Sequence, residues 1–379
     1  MLVEVNLLIQ VALIPVIIKE FQLGLLEASL VATVPSFVQL LMYIPSGYLT
    51  DRVSVKHLLF ASMLVEGLSG FLVSQTTSFW TLVLGVSLLK ISSPLYHITG
   101  LSQVSKLAKP EEMNRSMGVH NALGNLGSAV GVVSLAVFLS TLGWRWTYFF
   151  WAFPILAWGF ILLASSGLRA GRFEKTVIRA KTGLKRWSLI LTSGLLVFLT
   201  AIAVREVGAT ASSTYITTYF VNSRNLSEST ASLIFGLGPF VGVPASLIGG
   251  YLGERTGARK ALMWTIAGCA ISLILLALVS HLYLLILVYV LFSFFSNATW
   301  APMNALVPDI TPMADIGLGW SIYFFTDGIT TSIAPTLAAG IMELSGISFV
   351  FPFSAIFLIS SLIILQFLPR SKNQQTLKT

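Results

Sequence analysis

The sequence predicts an all-α integral membrane protein with twelve transmembrane helices, arranged as two pseudo-symmetric six-helix bundles. Three observations support this fold class. The 379 residues are 55% apolar and only 10% charged, with a mean hydropathy of +0.84, whereas about a quarter of the residues of a soluble domain are charged. Apolar stretches long enough to span a membrane recur along the chain. A short charged pattern also appears twice, once in each half.

Twelve apolar stretches are predicted to cross the membrane, because a helix needs about 20 residues to span a hydrocarbon core of about 30 Å. Six lie in the first half, at about 1–18, 27–49, 58–76, 79–103, 115–141 and 146–168. Six more lie at about 188–221, 227–252, 261–280, 282–307, 315–342 and 347–368. The chain is therefore divided into an N-terminal bundle, 1–168, a linker, 169–187, a C-terminal bundle, 188–368, and a tail, 369–379.

The first predicted span begins at Met1, with no polar segment before it. Counting back from Lys19 at 1.5 Å per residue places Glu4 about 20 Å along a helix, deep in the apolar layer. We therefore expect the first helix to be truncated at its start.

The basic residues indicate the orientation of the chain. Only Lys19, Arg145 and Arg224 fall in one set of loops, and Lys90 and Arg205 fall within spans. All the others of the 23 basic residues lie in the opposite loops, the linker and the tail. Because cytoplasmic loops are enriched in Lys and Arg, we expect a multi-pass protein of the inner or plasma membrane with both termini in the cytoplasm. The net charge of +8 is thereby explained by topology, and no nucleic-acid partner is expected.

The repeated pattern follows the second and the eighth predicted spans. Residues 47–59 read G-Y-L-T-D-R-V-S-V-K-H-L-L, and residues 250–262 read G-Y-L-G-E-R-T-G-A-R-K-A-L. Small residues such as Gly47 and Gly250 allow helices to approach closely, and Asp51 or Glu254 can interact with the N-terminus of a neighbouring helix. Alternatively, each copy is only a tight turn that obeys the positive-inside rule.

Several segments resemble a known family. They read S-S-P-L-Y-H at 92–97, G-N-L-G-S-A-V-G at 124–131 and S-S-T-Y-I-T-T-Y-F at 212–220, with a further similar helix at 317–343. With the repeat, they resemble the major facilitator superfamily of secondary transporters and, loosely, the fosmidomycin-resistance type of efflux protein. Ile98 stands where that type has proline, and Val132 follows Gly131 where antiporters have Gly-Pro. The direction of transport therefore stays open.

The resemblance implies a mechanism of alternating access. It also implies that the first, fourth, seventh and tenth spans line a central cavity, and that the two motif copies form a latch at the cytoplasmic face. The latch residues would be Gly47, Asp51, Arg52, Lys56, Gly250, Glu254, Arg255 and Arg259.

Two basic residues within spans are candidates for substrate binding. Lys90 lies about 17 Å into the fourth span at 1.5 Å per residue, and Arg205 lies at a similar depth in the seventh. Charges at that depth are costly and usually functional, and two fixed positive charges would attract an anion into the implied cavity. Alternatively, each pairs with an acid, Lys90 with Glu4 and Arg205 with Glu206 or Asp327.

Three acids within spans are candidates for proton coupling, namely Glu4, Glu206 and Asp327. Burial disfavours the charged form of a carboxyl group, so each of them could take up a proton. His97 could relay protons, although a packing role is the alternative. Glu66, in the third span, is interpreted as structural.

Polar and aromatic side chains complete the predicted substrate site. Asn297, Trp300 and Asn304 recur at helical spacing and share one face. Tyr96 and Tyr215 would add groups that orient a bound molecule. The alternative is that these side chains only join neighbouring helices.

We therefore expect a secondary active transporter for a small anionic organic solute or drug, coupled to protons, with efflux slightly favoured. The alternatives are proton-coupled uptake and a membrane sensor that does not transport. The sequence contains no H-E-x-x-H or G-x-S-x-G motif, which argues against an enzyme. The expected partners are the solute, protons and the lipid bilayer. We expect a monomer without cofactor or metal.

Overall fold

The computed structural model describes residues 1–6, 8–50, 53–109, 112–165, 192–311 and 316–369, and these residues are almost entirely helical. Ten of the helices are long and apolar enough to cross a membrane, and a bent pair at the start could form an eleventh span. The predicted class of multi-pass, all-α membrane protein is therefore confirmed. The linker 169–187, and the tail beyond Pro369, lie outside the described residues.

The described residues of the first half form eight α-helices, preceded by a 3-10 turn at Leu2–Glu4. They are α1 (Ile9–Ala12), α2 (Ile14–Phe21), α3 (Leu25–Thr50), α4 (Val55–Ser74), α5 (Phe79–Lys90), α6 (Ser92–Leu107), α7 (Met113–Thr141) and α8 (Arg145–Ala164). Hydroxyl groups cap several of these helices. The Ser78 side chain, for example, accepts a hydrogen bond from the backbone N–H of Thr81 at the start of α5, which satisfies a donor that has no partner within the helix.

In the second half, the residues that the structure describes form six α-helices, with a 3-10 turn at Ile347–Phe349. They are α9 (Ser193–Arg224), α10 (Glu228–Thr256), α11 (Ala258–Leu278), α12 (Leu282–Ile310), α13 (Ile316–Ser345) and α14 (Val350–Leu365). Two turns between them need unusual backbone conformations: Gly257 has φ +86° and Gly346 has φ +90°. Both positions favour glycine, which lacks the Cβ that disfavours positive φ.

The first predicted span is not one continuous helix. The segments Leu2–Ala12 and Ile14–Phe21 meet at an angle of 50°. Pro15 explains the bend, because proline has no N–H to donate to the carbonyl four residues earlier. That carbonyl belongs to Val11, and it accepts a hydrogen bond from the Thr217 hydroxyl at 3.2 Å instead.

The fourth predicted span, 79–103, is also interrupted. Helix α5 ends at Lys90 and α6 begins at Ser92. Pro94 supplies the reason, since it cannot donate to the carbonyl of Lys90. The interruption therefore falls directly beside the basic residue that the sequence places in the membrane interior.

The two halves meet along two helix pairs, α7 with α10 and α3 with α13. The α7–α10 interface is especially close. A Cβ atom added to Gly118 would lie 2.9 Å from the carbonyl oxygen of Ser246, and one added to Gly250 would lie 2.8 Å from that of Asn114. Helices in bilayers use small residues for this close packing.

The molecule has two ends, which we name by their connections. The linker end is where α8 ends and α9 begins, and it carries both motif copies. The far end carries the connections between α2 and α3, between α7 and α8, and between α9 and α10. Between the ends, many large apolar side chains are exposed, including Leu41, Ile44, Trp80, Phe240 and Ile356. This apolar outer surface is the one expected of a protein that faces lipid.

Candidate functional site

A central cavity with a volume of about 360 Å³ is in contact with both halves. Gln39, Lys90 and Asn121 line it from the first half, and Asn297 and Asp327 line it from the second. We call it the Lys90 cavity. An adjoining space of about 250 Å³, the Arg205 cavity, is lined mainly by the second half. The two cavities share Leu8, Asn125, Thr210, Ser213, Asn297, Trp300, Asp327 and Thr331 as lining residues.

The cavities lie between contacts that join the halves at both ends of the molecule. At the linker end, the Trp320 indole donates a hydrogen bond to the Ser105 hydroxyl at 3.2 Å, and Trp320 is completely buried. At the far end, the Lys19 ammonium lies 3.0 Å from a carboxylate oxygen of Glu228. Contacts between the halves are therefore present at both ends of the molecule.

Lys90 occupies the last turn of α5, next to the interruption, and only 6% of its surface is exposed. No carboxylate oxygen in the described part of the chain lies within 4.0 Å of its ammonium group. Glu4, its predicted acidic partner, contacts the Nε2 atom of His97 at 3.2 Å. Lys90, Glu4 and His97 all line the Lys90 cavity, so this positive charge is available to a bound molecule.

Arg205 is in a different situation. It is 1% exposed, and its Nη1 atom donates to the carboxylate of Glu206, its neighbour on α9. The guanidinium group also lies 5.7 Å from the ring centroid of Trp300. Of the two acidic partners predicted for Arg205, the structure therefore shows Glu206.

Asp327 contributes an acid to both cavities from α13. Its Oδ1 atom is buried without a hydrogen-bond partner among the described residues, and so is the Nε atom of Arg205. Buried polar atoms that lack partners are costly. Both atoms belong to residues that line the Arg205 cavity, so a bound molecule or water could satisfy them.

The predicted polar and aromatic residues divide into two groups. Asn297 and Trp300 line both cavities, and Asn304 lines the Lys90 cavity. Tyr96 and Tyr215 do not appear among the residues that line either one. The Tyr215 hydroxyl donates to the carbonyl of Pro335 at 3.0 Å, and the Tyr96 ring stacks on His120, so contacts with neighbouring helices occupy both side chains.

Sequence reasoning missed four amide side chains that line the cavities, Gln10, Gln39, Asn121 and Asn125. Asn125 of α7 donates to the Gly242 carbonyl at 3.2 Å and to the Ser246 hydroxyl at 3.0 Å, and so bridges the halves. Gln39 of α3 donates to the hydroxyls of Tyr43 and Ser93. A polar amide within an apolar span is the signal that could have identified them. Only the charged residues and the amides of α12 were predicted from that signal.

The basic residues of the two motif copies make equivalent contacts. Lys56 donates to the carbonyl of Ser165, just after α8, at 2.6 Å. Arg259 donates to the carbonyl of Gln366, just after α14, at 2.8 Å. Basic groups are favourable at helix C-termini, where carbonyls lack partners. Each copy thus binds the last helix of its own half.

Other motif residues contact the opposite half. A Cβ atom on Gly47 would lie 2.6 Å from the Ser321 hydroxyl oxygen, and the Glu254 carboxylate accepts a hydrogen bond from the backbone N–H of Arg115 at 3.2 Å. The Arg255 guanidinium lies over the Tyr251 ring within its own helix. Asp51 and Arg52 lie outside the described residues.

Curated proteins similar to this chain are named as transport proteins. The "Nitrite extrusion protein" of Bacillus subtilis (strain 168) is 28% identical over 270 residues, which are 70% of this chain and 66% of the relative. The "Probable nitrate transporter NarT" of Staphylococcus epidermidis is 22% identical over 274 residues, 72% of this chain and 68% of the relative. The chain thus spans about two thirds of the length of these relatives.

A family model extends the similarity over nearly the whole chain. The model described as Major Facilitator Superfamily matches residues 5–279 and, in a second match, residues 207–379. Because the named relatives are transport proteins, the expectation of a transporter rather than an enzyme is confirmed. The repeated motif, the cavity between two halves and the family match agree, and the chain belongs to the Major Facilitator Superfamily.

Proposed function

We propose that the protein moves a small anionic solute across the cell membrane by alternating access of the cavity to the two sides. The halves 1–168 and 188–368 would rock as two bundles about the cavity. The ten candidate spans, the bent first pair and the 30-residue helix α13 would together form the twelve predicted helices. The linker end would face the cytoplasm, together with both termini, and the transporter would act as a monomer.

The observation that carries this proposal is the presence of one basic residue from each half at two adjoining cavities, Lys90 at one and Arg205 at the other. Lys90 comes from α5 and Arg205 from α9, and both are buried. Fixed positive charges in a low-dielectric space attract an anion. The names of the relatives agree with anion transport, since they mention nitrite and nitrate.

The cavity also supports an organic rather than an inorganic anion. A volume of about 360 Å³, continued by about 250 Å³, lies in the range of sites for drug-sized molecules and is much larger than a four-atom oxyanion. Tyr43, Trp300 and Phe324 supply aromatic surface to its lining. An organic anion could place its charged group at a basic residue and its apolar body against these rings.

The acids at the cavities support coupling to protons. Glu4, Glu206 and Asp327 line them together with the basic residues Lys90 and Arg205 and with two histidines, His97 and His120, and His97 contacts Glu4. Ionised carboxylates would repel an anion, so protonation of an acid would favour its binding. Export is the favoured direction, because one relative is named for extrusion and the looser resemblance is to efflux proteins.

Transport by proteoliposomes under an imposed pH gradient tests the proposal, with nitrite, nitrate and benzoate as probes. Lys90→Ala and Arg205→Ala are expected to lower accumulation of the transported anion about tenfold or more, since loss of a buried charge contact costs about 2–5 kcal/mol. Asp327→Asn is expected to reduce the dependence of anion accumulation on the pH gradient. Lys19→Ala, an exposed basic residue remote from the cavity, is the matched control.

Two outcomes would contradict the proposal. Accumulation of an anion that is unchanged by both cation variants would exclude the anionic cavity. Binding of a probe without accumulation under any gradient would instead indicate a sensor that has kept the fold.

A further inference from the structure

We propose that Glu66 is a positioning residue of the anion site: it is the counter-charge of Lys90, and it sets how much of the Lys90 charge the cavity presents to a bound anion. This inference rests on the proposed function. Glu66 belongs to α4 and does not line either large cavity. It is nevertheless a carboxyl group that is only 1% exposed, and a buried charge requires compensation.

Both carboxyl oxygens of Glu66 have polar neighbours. The Asn6 amide donates to Oε1 at 3.2 Å. The Ser92 Oγ atom lies 2.8 Å from Oε2 and 2.9 Å from the carbonyl oxygen of Leu89, and its single proton is donated to one of them at a time. These contacts hold the Glu66 carboxyl group between Asn6 and Ser92.

The two polar neighbours come from different segments. Asn6 lies between the first 3-10 turn and α1, and Ser92 is the first residue of α6, just after Lys90 and Ile91. Glu66 thus contacts both the stretch before α1 and the junction between α5 and α6. A group in this position controls where the end of α5, with Lys90, lies relative to the cavity.

A small space connects Glu66 with Lys90. It has a volume of about 10 Å³, which is room for about one water molecule. Glu4, Glu66, Lys90, Ser92, Ser93 and His97 contribute polar groups to its lining. Glu4 also contacts His97. Glu66 is the second carboxyl group of this space, and Lys90 faces the Lys90 cavity on its other side.

The electrostatic potential of the cavity can be measured without knowing the substrate. Ser36, which lines the Lys90 cavity, is replaced by cysteine, and its reaction rates with an anionic and a cationic methanethiosulfonate reagent are compared. The only native cysteine, Cys269, is buried, so background labelling is low. The ratio of the anionic to the cationic rate reports the charge that the cavity presents.

Four variants carrying this cysteine give a distinctive pattern if the proposal holds. Glu66→Gln is expected to raise the rate ratio severalfold, and Lys90→Met to lower it severalfold. The double variant Glu66→Gln/Lys90→Met is expected to return to within about twofold of the parent, because the two charges cancel. If Glu66 is a neutral structural group, Glu66→Gln equals the parent and the double variant equals Lys90→Met, which overturns the proposal.

Thermal unfolding in detergent provides a second readout should a single variant fold poorly. Removal of one member of a buried charge pair is destabilising, whereas removal of both members is often tolerated. The double variant is therefore expected to have a higher Tm than either single variant. A double variant less stable than both would overturn the proposal. If the rate ratios are as expected but the parent protein transports no anion, the proposed substrate class is rejected and the role of Glu66 stands.

Discussion

The two interfaces between the halves are bridged by the same chemical arrangement at opposite ends of the molecule. At the far end of the α3–α13 interface, Glu343 accepts a hydrogen bond from the backbone N–H of Leu26 at 3.2 Å. At the linker end of the α7–α10 interface, Glu254 accepts one from Arg115 at 3.2 Å. In each case a carboxylate near the end of one helix meets the first turn of a helix from the other half, where negative charge is favourable.

The packing along the two interfaces differs. Backbone atoms meet in the α7–α10 interface, at Gly118 and Gly250. Hydroxyl groups meet towards the far end of the α3–α13 interface, where the Thr336 hydroxyl lies 3.2 Å from that of Ser29 and 2.9 Å from that of Thr33. Hydroxyls can exchange a protein partner for water at little net cost, whereas close backbone packing cannot be replaced in that way. The comparison predicts that the far end opens more readily than the linker end.

The largest expected effect comes from filling the close interface. Gly250→Ala places a methyl group against the Asn114 carbonyl, and overpacking of this kind costs about 1–3 kcal/mol. We expect the state with an open linker end to gain about fivefold or more in population. The distance between spin labels at Ala108 and Thr256, measured by double electron–electron resonance, reports this opening.

Gly340→Ala is the matched control for that variant, because a Cβ atom there meets nothing within 4 Å. It is expected to leave the label distances unchanged. Equal behaviour of the two alanine variants would show that the α7–α10 approach does not hold the linker end closed.

The two bridging carboxylates are expected to act on opposite ends. Glu254→Gln should favour opening of the linker end, and Glu343→Gln should favour opening of the far end, each by about two- to fivefold, the range expected for a charge at a helix N-terminus. Labels at Gln22 and Ser345 report the far end. A shift of the same end by both variants would refute the correspondence between the interfaces.

A smaller effect is expected at the first motif copy. A Cβ atom on Gly47 meets the hydroxyl of Ser321, which can rotate away, whereas the neighbour of Gly250 is a backbone carbonyl. Gly47→Ala should therefore raise the population of the state with an open linker end by about twofold or less, a smaller effect than that of Gly250→Ala. The Ala108–Thr256 label pair tests this order, and the reverse order would show that the first copy dominates closure.

The smallest effect is expected for the ion pair at the far end. Lys19 lies 3.0 Å from Glu228, but its side chain is 77% exposed, and exposed pairs contribute little. Lys19→Gln should change the population of the state with an open far end by less than about twofold, and only at low ionic strength. A larger shift that persists in concentrated salt would assign this pair a role in closure comparable to that of Glu343.

The positions of the charged site residues were predictable from sequence because the bilayer makes intramembrane charges conspicuous. Lys90, Arg205 and Asp327 interrupt apolar stretches, and all three lie on cavity linings. Tyr96 and Tyr215 carry no such signal. Whether an aromatic residue faces a cavity or a neighbouring helix depends on the rotation of its helix, which tertiary packing sets.

The sequence by itself determined the membrane class, the approximate spans and the internal repeat, because these depend on hydropathy and local pattern. Only the tertiary structure decided that the first span bends by 50° before Pro15, and that Glu66 reaches the vicinity of Lys90. It also decided the partners of Glu254 and Glu343. These partners are backbone N–H groups, which every residue except proline carries, so no sequence pattern distinguishes the helix turn that each carboxylate meets.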